Sequence, residues 1–267
     1  MLSMEVAVSC LNEDIFKIQN NFKNIFNMLN ISIHVIHQVN DNCDYNDVIN
    51  LLSANSNLRY SRLDRLGLPL SRNFALENCS ADLLIPTDSD VVLFYEEFEK
   101  ISSIFENNSE IDYVTLESFY DPEKLQPRRS FKDTDFTHTK RSLLSVSSIE
   151  IVIKVKSFKE TKTQWDLDFG LGAKFSGGLE TVMLQNAYSN NLQGKFFPIP
   201  LSYHRELSTG TEINLRRVFI RSAVFEKIFG KNKGKFLSLL FHVKNFNKFK
   251  SLGAMNLIKT IMSNKHI

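Results

Sequence analysis

The chain has 267 residues, of which 43% are hydrophobic and 23% charged, and its formal net charge is +2. This length suits one large domain or one domain with an appendage, and the composition is that of a globular protein. No apolar run reaches the roughly 18 residues of a membrane-spanning helix. The first residues lack the basic and apolar regions of a signal peptide, and the three cysteines are too widely spaced for a disulfide framework. We therefore expect a cytoplasmic protein.

The charge is distributed unevenly along the chain. Nine lysines and no Asp or Glu follow position 226, so the body of the protein is acidic and its C-terminal tail is basic. Phenylalanines and leucines alternate with these lysines. The tail is therefore expected to form either a basic amphipathic surface that binds anionic lipid at the inner face of the cell membrane, or helices that pack on the body and show their lysines to water. We expect no nucleic-acid binding, because the tail contains no arginine and no recognised module.

The first elements follow from the spacing of apolar residues. The patterns predict a strand at 5–10, an amphipathic helix at 15–29 and a strand at 31–39. This order is a βαβ unit, which predicts parallel strands joined by a right-handed crossover. The next predicted elements are a helix at 47–52, a strand at 58–63, a helix from 70 with Ser71 as its N-cap, and a strand at 81–85.

The second half is predicted in the same way. Its elements are a helix at 96–106, a strand at 113–116, a substrate-facing loop at 121–140 and one or two strands at 143–156. A glycine-rich loop then leads to a helix that begins near Glu180, and a strand follows at 196–201. After Thr211 the pattern is helical, with breaks expected at Gly230 and Gly234.

The most informative stretch is Asp88-Ser89-Asp90, which lies between two apolar runs. The first run stops at Pro86, so the two carboxylates are expected at the C-terminal end of a core strand. Ligands bind at such ends in open α/β sheets. Two carboxylates on a short turn are ligands for Mg²⁺ or Mn²⁺, although a surface turn with two aspartates is the simpler alternative.

Polar residues follow other predicted strands as well. They are found at 9–13, at Asn40-Asp41 and at His204, and strand ends of this kind converge on one crevice. A nucleoside diphosphate with a divalent ion suits these side chains, with Asp41 on the base or ribose and His204 completing the metal shell. The chain has neither a Gly-x-Gly-x-x-Gly pattern after its first strand nor a P-loop, which argues against dinucleotide enzymes and P-loop NTPases.

Taken together, residues 4–230 resemble family-2 glycosyltransferases with the GT-A fold, and look most similar to bacterial enzymes of capsule or O-antigen synthesis. The most specific parts of the resemblance are Arg72-Asn73 before Asp88-Ser89-Asp90, the segment Phe-Gly-Leu-Gly-Ala-Lys-Phe at 169–175 with Glu180 after it, and Tyr-His-Arg-Glu-Leu-Ser-Thr at 203–209.

The resemblance implies an α/β fold of the GT-A (Rossmann-like) type, with a mixed, mainly parallel sheet flanked by helices. The catalytic domain would span 1–210, with a nucleotide-sugar half at about 1–95 and an acceptor half at about 96–210. A helical basic extension would follow at 211–267.

The resemblance also implies a function: a metal-dependent inverting glycosyltransferase that moves a sugar from a nucleotide-sugar donor, with UDP the expected nucleotide, to a glycan or lipid-linked acceptor. Asp88, Asp90 and His204 would hold Mn²⁺ or Mg²⁺, and Glu180 would be the catalytic base. The family commonly has Glu-Asp where this chain has Leu179-Glu180. The residues implied to bind the nucleotide-sugar are Ser9, Cys10, Glu13, Asp41, Arg72, Asp88 and Ser89.

Some roles stay open at this stage. Trp165 and Phe169 are expected either to stack on an acceptor sugar or to pack in the core. A nucleotidyltransferase is the rival from the same fold, and the absence of a glycine-rich loop with Arg or Lys after the first strand disfavours it. A non-catalytic nucleotide- or glycan-binding partner in a polysaccharide synthesis complex is the rival from another class, and Leu179 in place of an acid favours it.

Overall fold

The computed structural model of the protein describes residues 1–205 and 213–263. The end of the 203–209 motif and the predicted helix start after Thr211 fall on 206–212, outside the described residues. The strands are β1 (Met4–Leu11), β2 (Ile31–Gln38), β3 (Leu58–Leu63), β4 (Leu83–Asp88), β5 (Val92–Leu93), β6 (Tyr113–Phe119), β7 (Phe136–Thr137), β8 (Ile151–Lys154) and β9 (Gly194–Tyr203).

The α-helices flank this sheet and then continue beyond it. They are α1 (Ile18–Phe22), α2 (Asn46–Ser53), α3 (Leu68–Asn78), α4 (Phe98–Asn107), α5 (Val155–Glu160), α6 (Leu179–Ser189), α7 (Leu215–Phe229), α8 (Lys231–Lys244), α9 (Phe246–Phe249) and α10 (Ala254–Met262). No helix in the described part of the chain is long and apolar enough to cross a membrane.

The strands form one mixed sheet in the order β3-β2-β1-β4-β8-β6-β9-β5, with β7 paired to β9. Strands β1 to β4 are parallel, β8 is antiparallel to both of its neighbours, and β6 and β9 are parallel to each other. Because β8 is antiparallel both to β4 and to β6, strands β6 and β9 run in the same direction as β4. The predicted mainly parallel sheet flanked by helices is confirmed, and the ends of β1, β2, β4 and β9 lie at one edge.

Each face of the sheet carries its own hydrophobic core. Val6 and Val8 of β1 point to one face, where α1, α2 and α4 pack, while Ala7 points to the other, where α3, α5 and α6 pack. This alternation is the period of two that a strand imposes on its side chains. The same rule decides which residues near the end of β1 reach the site.

Two predicted elements differ from the structure near the sheet. The helix expected at 15–29 is a 3₁₀ helix (Asn12–Lys17) followed by α1, and it stops at Phe22. Asn27 and Asn30 have φ of 65° and 62°, which a helix does not accommodate, and Leu29 is 86% exposed. The alternating stretch at 143–156 consists of two 3₁₀ helices (Ser142–Ser145 and Ser148–Glu150), β8 and the start of α5, and its apolar residues reach the core from separate short elements.

Two local predictions about strand and helix ends were also wrong. Pro86 does not end its strand but lies inside β4, aligned with Ala7 of β1. Ser71 is not an N-cap, because α3 begins three residues earlier with Pro69 in its first turn. Early helix positions accept proline because their N–H groups have no partner within the helix.

The C-terminal helices pack on one another and on the body. Gly230 separates α7 from α8 with a φ of 80°, as predicted, but Gly234 lies inside α8. A Cβ at Gly234 would lie 2.4 Å from the Cα of Glu226, so this glycine allows α8 to approach the backbone of α7. Val218, Phe249, Leu257 and Ile261 form a small core among these helices.

Candidate active site

The two aspartates of the Asp-Ser-Asp turn lie where β4 ends. Asp88 is the last residue of β4 and is aligned with Ser9 of β1. Ser89 is buried, and its carbonyl accepts a 2.8 Å hydrogen bond from the side-chain amide of Asn21. The side chains of Asp88 and Asp90 are 35% and 39% exposed. The hydrogen bond from Asn21 therefore fixes the turn, while both carboxylates remain partly exposed to solvent.

Arg72 is the most unusual side chain at this edge. It lies in α3, is 1% exposed, and donates a 2.8 Å hydrogen bond from Nη2 to Oδ1 of Asp88. Its Nε and Nη1 are buried and have no hydrogen-bond partner among the residues that the structure describes. Buried donors of this kind are costly unless something satisfies them. A cation with two unused donors thus lies next to the predicted metal turn, which suits an anionic ligand.

Glu180 lies close enough to Arg72 to interact with it electrostatically. It is in the first turn of α6, and its Oε1 is buried without a hydrogen-bond partner in the described chain. Burial raises the pKa of this carboxyl, nearby Arg72 lowers it, and Asp88 raises it further. Arg72, Asp88 and Glu180 therefore form one electrostatic cluster, although they are far apart in sequence.

The glycine-rich loop brings these residues together. Gly172 lies so close to Gly67, just before α3, that a Cβ on Gly172 would approach the Cα of Gly67 to 2.9 Å. The N–H of Leu68 donates a 2.9 Å hydrogen bond to the carbonyl of Leu171. Gly178 then turns the chain into α6 with a φ of 80°. The loop thus fixes the start of α6 against the start of α3.

His204 directly follows β9 and contacts the second aspartate. Its Nε2 lies 3.3 Å from Oδ2 of Asp90, and this contact is the main reason that the pKa of Asp90 is lowered. Arg128 donates a 2.8 Å hydrogen bond to the backbone carbonyl of His204. Sequence reasoning did not single out Arg128, although it lies in the charged 121–140 loop that was predicted to face substrate.

The predicted three-residue metal shell is not preformed. No group of three or more His, Cys, Asp or Glu side chains within the described ranges is arranged to hold a metal ion. The remaining donors nevertheless fit a divalent cation, because Mg²⁺ and similar ions commonly use one or two carboxylates together with substrate phosphates. Asp88 and Asp90 supply that pair of carboxylates. His204 contacts Asp90 and does not stand apart from it as a separate third ligand.

The ends of β1 and β2 form the neighbouring part of the same edge. The side chain of Asn12 donates to Asn40 at 2.7 Å, and the N–H of Asn40 donates back to Asn12 at 3.0 Å. Asp41 accepts hydrogen bonds from the Tyr45 hydroxyl at 2.7 Å and from the N–H of Cys43 at 3.2 Å. Both carboxylate oxygens of Asp41 therefore have local partners, as a residue that stabilises a turn would.

Three predicted nucleotide-binding residues are placed differently from one another. Ser9 reaches α3 through a 2.8 Å hydrogen bond between its hydroxyl and that of Ser71. Cys10 points to the opposite face, where burial raises the pKa of its thiol, and its contact with the nucleotide-sugar stays a prediction. Glu13 is exposed on the 3₁₀ helix that follows β1.

The two aromatic residues expected at the acceptor are in the core. Trp165 is 1% exposed and Phe169 is 2% exposed, so neither ring offers a face to a sugar. The side chain of Asn73 forms two 2.8 Å hydrogen bonds with the backbone of Trp165. Phe169 stacks on Phe175 with ring centroids 4.9 Å apart. The packing alternative is correct for both, and Asn73 links α3 to this loop.

Comparison with known proteins supports the fold. No protein-family profile and no curated protein matches the sequence. Among solved structures, TarS 1–349 of S. aureus in complex with UDP-GlcNAc matches with a TM-score of 0.69 at 14% identity, covering 98% of this chain and 80% of TarS 1–349. The mannosyltransferase PcManGT of Pyrobaculum calidifontis, in complex with GDP-Man and Mn²⁺, matches with a TM-score of 0.65 at 9% identity, covering 99% and 88% of the two chains.

These matches define the class of fold to which the chain belongs. Its sheet, flanking helices and C-terminal helices match GT-A glycosyltransferase structures. At such low identity the similarity establishes the fold alone.

Proposed function

We propose that this chain is a metal-dependent, inverting glycosyltransferase. It transfers a sugar from a nucleotide-sugar, with UDP the expected nucleotide, to a glycan or lipid-linked acceptor in surface-polysaccharide synthesis. The observation that carries this proposal is the Arg72–Asp88–Glu180 cluster at the C-terminal end of β4 in a GT-A fold. The complexes of structurally similar proteins with UDP-GlcNAc and GDP-Man support it.

The side chains divide the work of the reaction between them. Arg72 has two unused buried donors, which suit the oxygens of a diphosphate. Asp88 and Asp90 would hold the divalent ion, which supplies positive charge to offset the negative charge of the leaving nucleoside diphosphate. Glu180 would accept the proton of the acceptor hydroxyl, and its raised pKa makes it a stronger base than an exposed carboxylate. Asp41 and Ser9 would contact the nucleoside side of the donor.

The structure bears on the non-catalytic alternative through Leu179. Leu179 is 1% exposed and belongs to the hydrophobic core on the face of the sheet that carries α3, α5 and α6. An acidic side chain at this position would therefore be buried. The carboxylate that interacts electrostatically with Arg72 belongs to the next residue, Glu180. The substitution of Leu for an acid at 179 is therefore compatible with a catalytic carboxylate at 180.

Calorimetry on wild type and three variants tests the proposal. UDP and GDP are titrated into wild type, Asp90→Asn, Glu180→Gln and the matched control Asp64→Asn, whose side chain is 83% exposed, with and without Mn²⁺. We expect Mn²⁺-dependent binding in wild type, Glu180→Gln and the control, and its loss in Asp90→Asn. A panel of nucleotide-sugars then measures turnover. Absence of cation-dependent binding for every nucleotide would refute the proposal, and binding without turnover of any donor would favour the non-catalytic partner.

We also propose that the C-terminal helices contact an anionic membrane. Phe236, Leu240 and Val243 are spaced along one face of α8 and are 59%, 47% and 63% exposed. Met255, Ile258 and Met262 do the same on α10, with exposures of 66%, 46% and 57%. Exposed lysines accompany both faces, which is the pattern of a helix that lies in the interface of an anionic bilayer.

Vesicle flotation tests this membrane contact. We expect the protein to float with vesicles containing phosphatidylglycerol but not with pure phosphatidylcholine. The double variant Phe236→Ser/Val243→Ser should lose flotation, whereas Leu29→Ser/Leu125→Ser, which removes leucines that are 86% and 78% exposed elsewhere, should keep it. Equal flotation of both double variants would refute the assignment.

A further inference from the structure

A cavity lies next to the candidate active site. It has a volume of about 580 Å³ and lies between the glycine-rich loop, the N-terminus of α6 and one side of α7. Gly178 and Thr181, which flank Leu179-Glu180, line it. This volume is in the range of small-molecule sites. The cavity therefore opens beside the helix end that carries the proposed base, and it is separate from the edge formed by β1 and β2.

The wall of this cavity combines two chemistries. Leu144, Leu171, Ile220 and Val224 give it an apolar part, and Arg216, Arg217 and Arg221 of α7 give it a basic part. None of its lining residues in the described chain is an Asp or Glu. A purely sugar-binding site would need neither this apolar wall nor this concentration of guanidinium groups.

Arg221 is held in place at this wall. Its guanidinium lies over the ring of Phe241, with 4.5 Å between its Cζ and the ring centroid. Burial lowers the pKa of Arg221, and the neighbouring Arg217 lowers it further. An anion bound beside Arg221 would relieve both effects. Because guanidinium groups match phosphate oxygens in a bidentate geometry, a phosphate group is the ligand that fits best.

We propose that this cavity binds the phosphate or diphosphate group and the adjoining hydrocarbon of a lipid-linked acceptor. The arginines take the phosphate oxygens and the leucine and isoleucine side chains take the chain, which leaves the sugar directed toward Glu180. The acceptor role rests on the proposed function, but the binding itself does not. In this assignment the acceptor binds in the cavity and not at Trp165 and Phe169, whose rings lie in the core.

Calorimetry with three probes tests the chemistry of the site. Farnesyl diphosphate, below its critical micelle concentration, carries both groups, whereas pyrophosphate carries only the anion and farnesol only the chain. We expect farnesyl diphosphate to bind at least tenfold more tightly than pyrophosphate or farnesol, because only farnesyl diphosphate contacts both the basic and the apolar part of the wall. Pyrophosphate binding as tight as that of farnesyl diphosphate would overturn the lipid assignment in favour of a soluble phosphate ligand.

Variants locate the binding. Arg221→Gln should weaken farnesyl diphosphate binding by roughly tenfold or more, and Thr181→Phe, which fills the cavity without changing its charge, should weaken it as well. Arg62→Gln is the matched control, since Arg62 is 56% exposed and pairs with Asp64 at the far strand of the sheet. Circular dichroism melts establish that each variant is folded.

The outcomes separate this inference from the proposed function. If Asp90→Asn abolishes farnesyl diphosphate binding and Arg221→Gln does not, the probe lies in the donor site and the inference is wrong. If no nucleoside diphosphate binds but farnesyl diphosphate still depends on Arg221, the proposed transferase fails while the lipid site stands. Binding that depends on Arg221 and survives in Asp90→Asn supports the inference.

Discussion

Two carboxylates at this edge of the sheet have opposite environments. Asp90 is 39% exposed, has His204 at 3.3 Å, and has a lowered pKa. Glu180 has a buried oxygen without a partner in the described residues, and its pKa is raised. Each carboxylate has a nitrogen-bearing neighbour, His204 for Asp90 and Arg72 for Glu180. The contact with His204 is the main cause of the lowered pKa of Asp90, whereas burial is the main cause of the raised pKa of Glu180.

This difference assigns different chemistry to the two groups. A carboxylate that stays ionised at all moderate pH values suits the binding of a divalent cation. A carboxylate whose ionised form is disfavoured gains more from accepting a proton, which is what a general base does. Asp90 thus suits donor binding and Glu180 suits proton transfer. The variants below test whether the two roles are separate.

The largest effect is expected for Glu180→Gln. Removal of the proton acceptor should lower kcat by about 10²- to 10⁴-fold and leave the Kd of the donor unchanged. Initial rates and calorimetry with the donor found in the panel measure the two quantities. Glu160→Gln, at a side chain that is 65% exposed, is the matched control. A Glu180→Gln variant with normal kcat would remove this residue from the mechanism.

Arg72→Lys should act on the donor instead. The compact ammonium of lysine cannot contact both Asp88 and a diphosphate as a planar guanidinium can. Hydrogen bonds to charged groups contribute about 1.5–3 kcal/mol each, so we expect donor Kd to rise about tenfold or more. Arg62→Lys, at an exposed arginine, should leave Kd unchanged. If Arg72→Lys changed kcat alone, Arg72 would belong with Glu180 and not with the donor.

The part of this site that sequence could predict depends on short-range patterns. Strand β3 has the predicted bounds, and Asp88 lies at a strand end because a buried apolar run directly precedes it. The parallel βαβ rule then places the ends of β1 and β2 beside it. The edge at which these strands end is accordingly better predicted than the exact residue at which each strand stops.

The rest of the candidate site depends on tertiary packing, which the spacing of apolar residues in the sequence does not encode. Alternation indicates that Ser9 and Cys10 point to opposite faces, but only the helices show which face lies next to Asp88. Burial of Trp165 depends on Asn73, which lies 92 residues earlier in the chain. Arg128 reaches His204 through the fold of a loop that has no periodic pattern. Long-range partners of this kind are fixed only by the complete tertiary structure.

Thermal melts across pH should separate the two carboxylates by the sign of their effect. Because the folded-state pKa of Glu180 is raised, its ionisation opposes folding above that pKa, so Glu180→Gln should raise Tm at neutral pH and lose this gain as pH falls. The pKa of Asp90 is lowered, so Asp90→Asn should lower Tm at neutral pH and have no effect below the folded pKa. The Asp90 effect should be the smaller, because solvent screens a partly exposed pair. Melts without added metal measure both, and shifts of the same sign would contradict the comparison.

The smallest effect is expected for His204→Gln. If His204 only positions Asp90, its loss removes one partly exposed contact between the imidazole and the carboxylate, which contributes no more than about 1 kcal/mol, and kcat/KM should fall by no more than about fivefold. The pKa of Asp90 should rise toward its usual range, as followed by NMR of the labelled carboxyl carbon without metal. A fall in affinity for Mn²⁺ as large as that of Asp90→Asn would instead make His204 a metal ligand, as the sequence first suggested. The size of the change in Mn²⁺ affinity thus decides whether Asp90 binds the cation alone or together with His204.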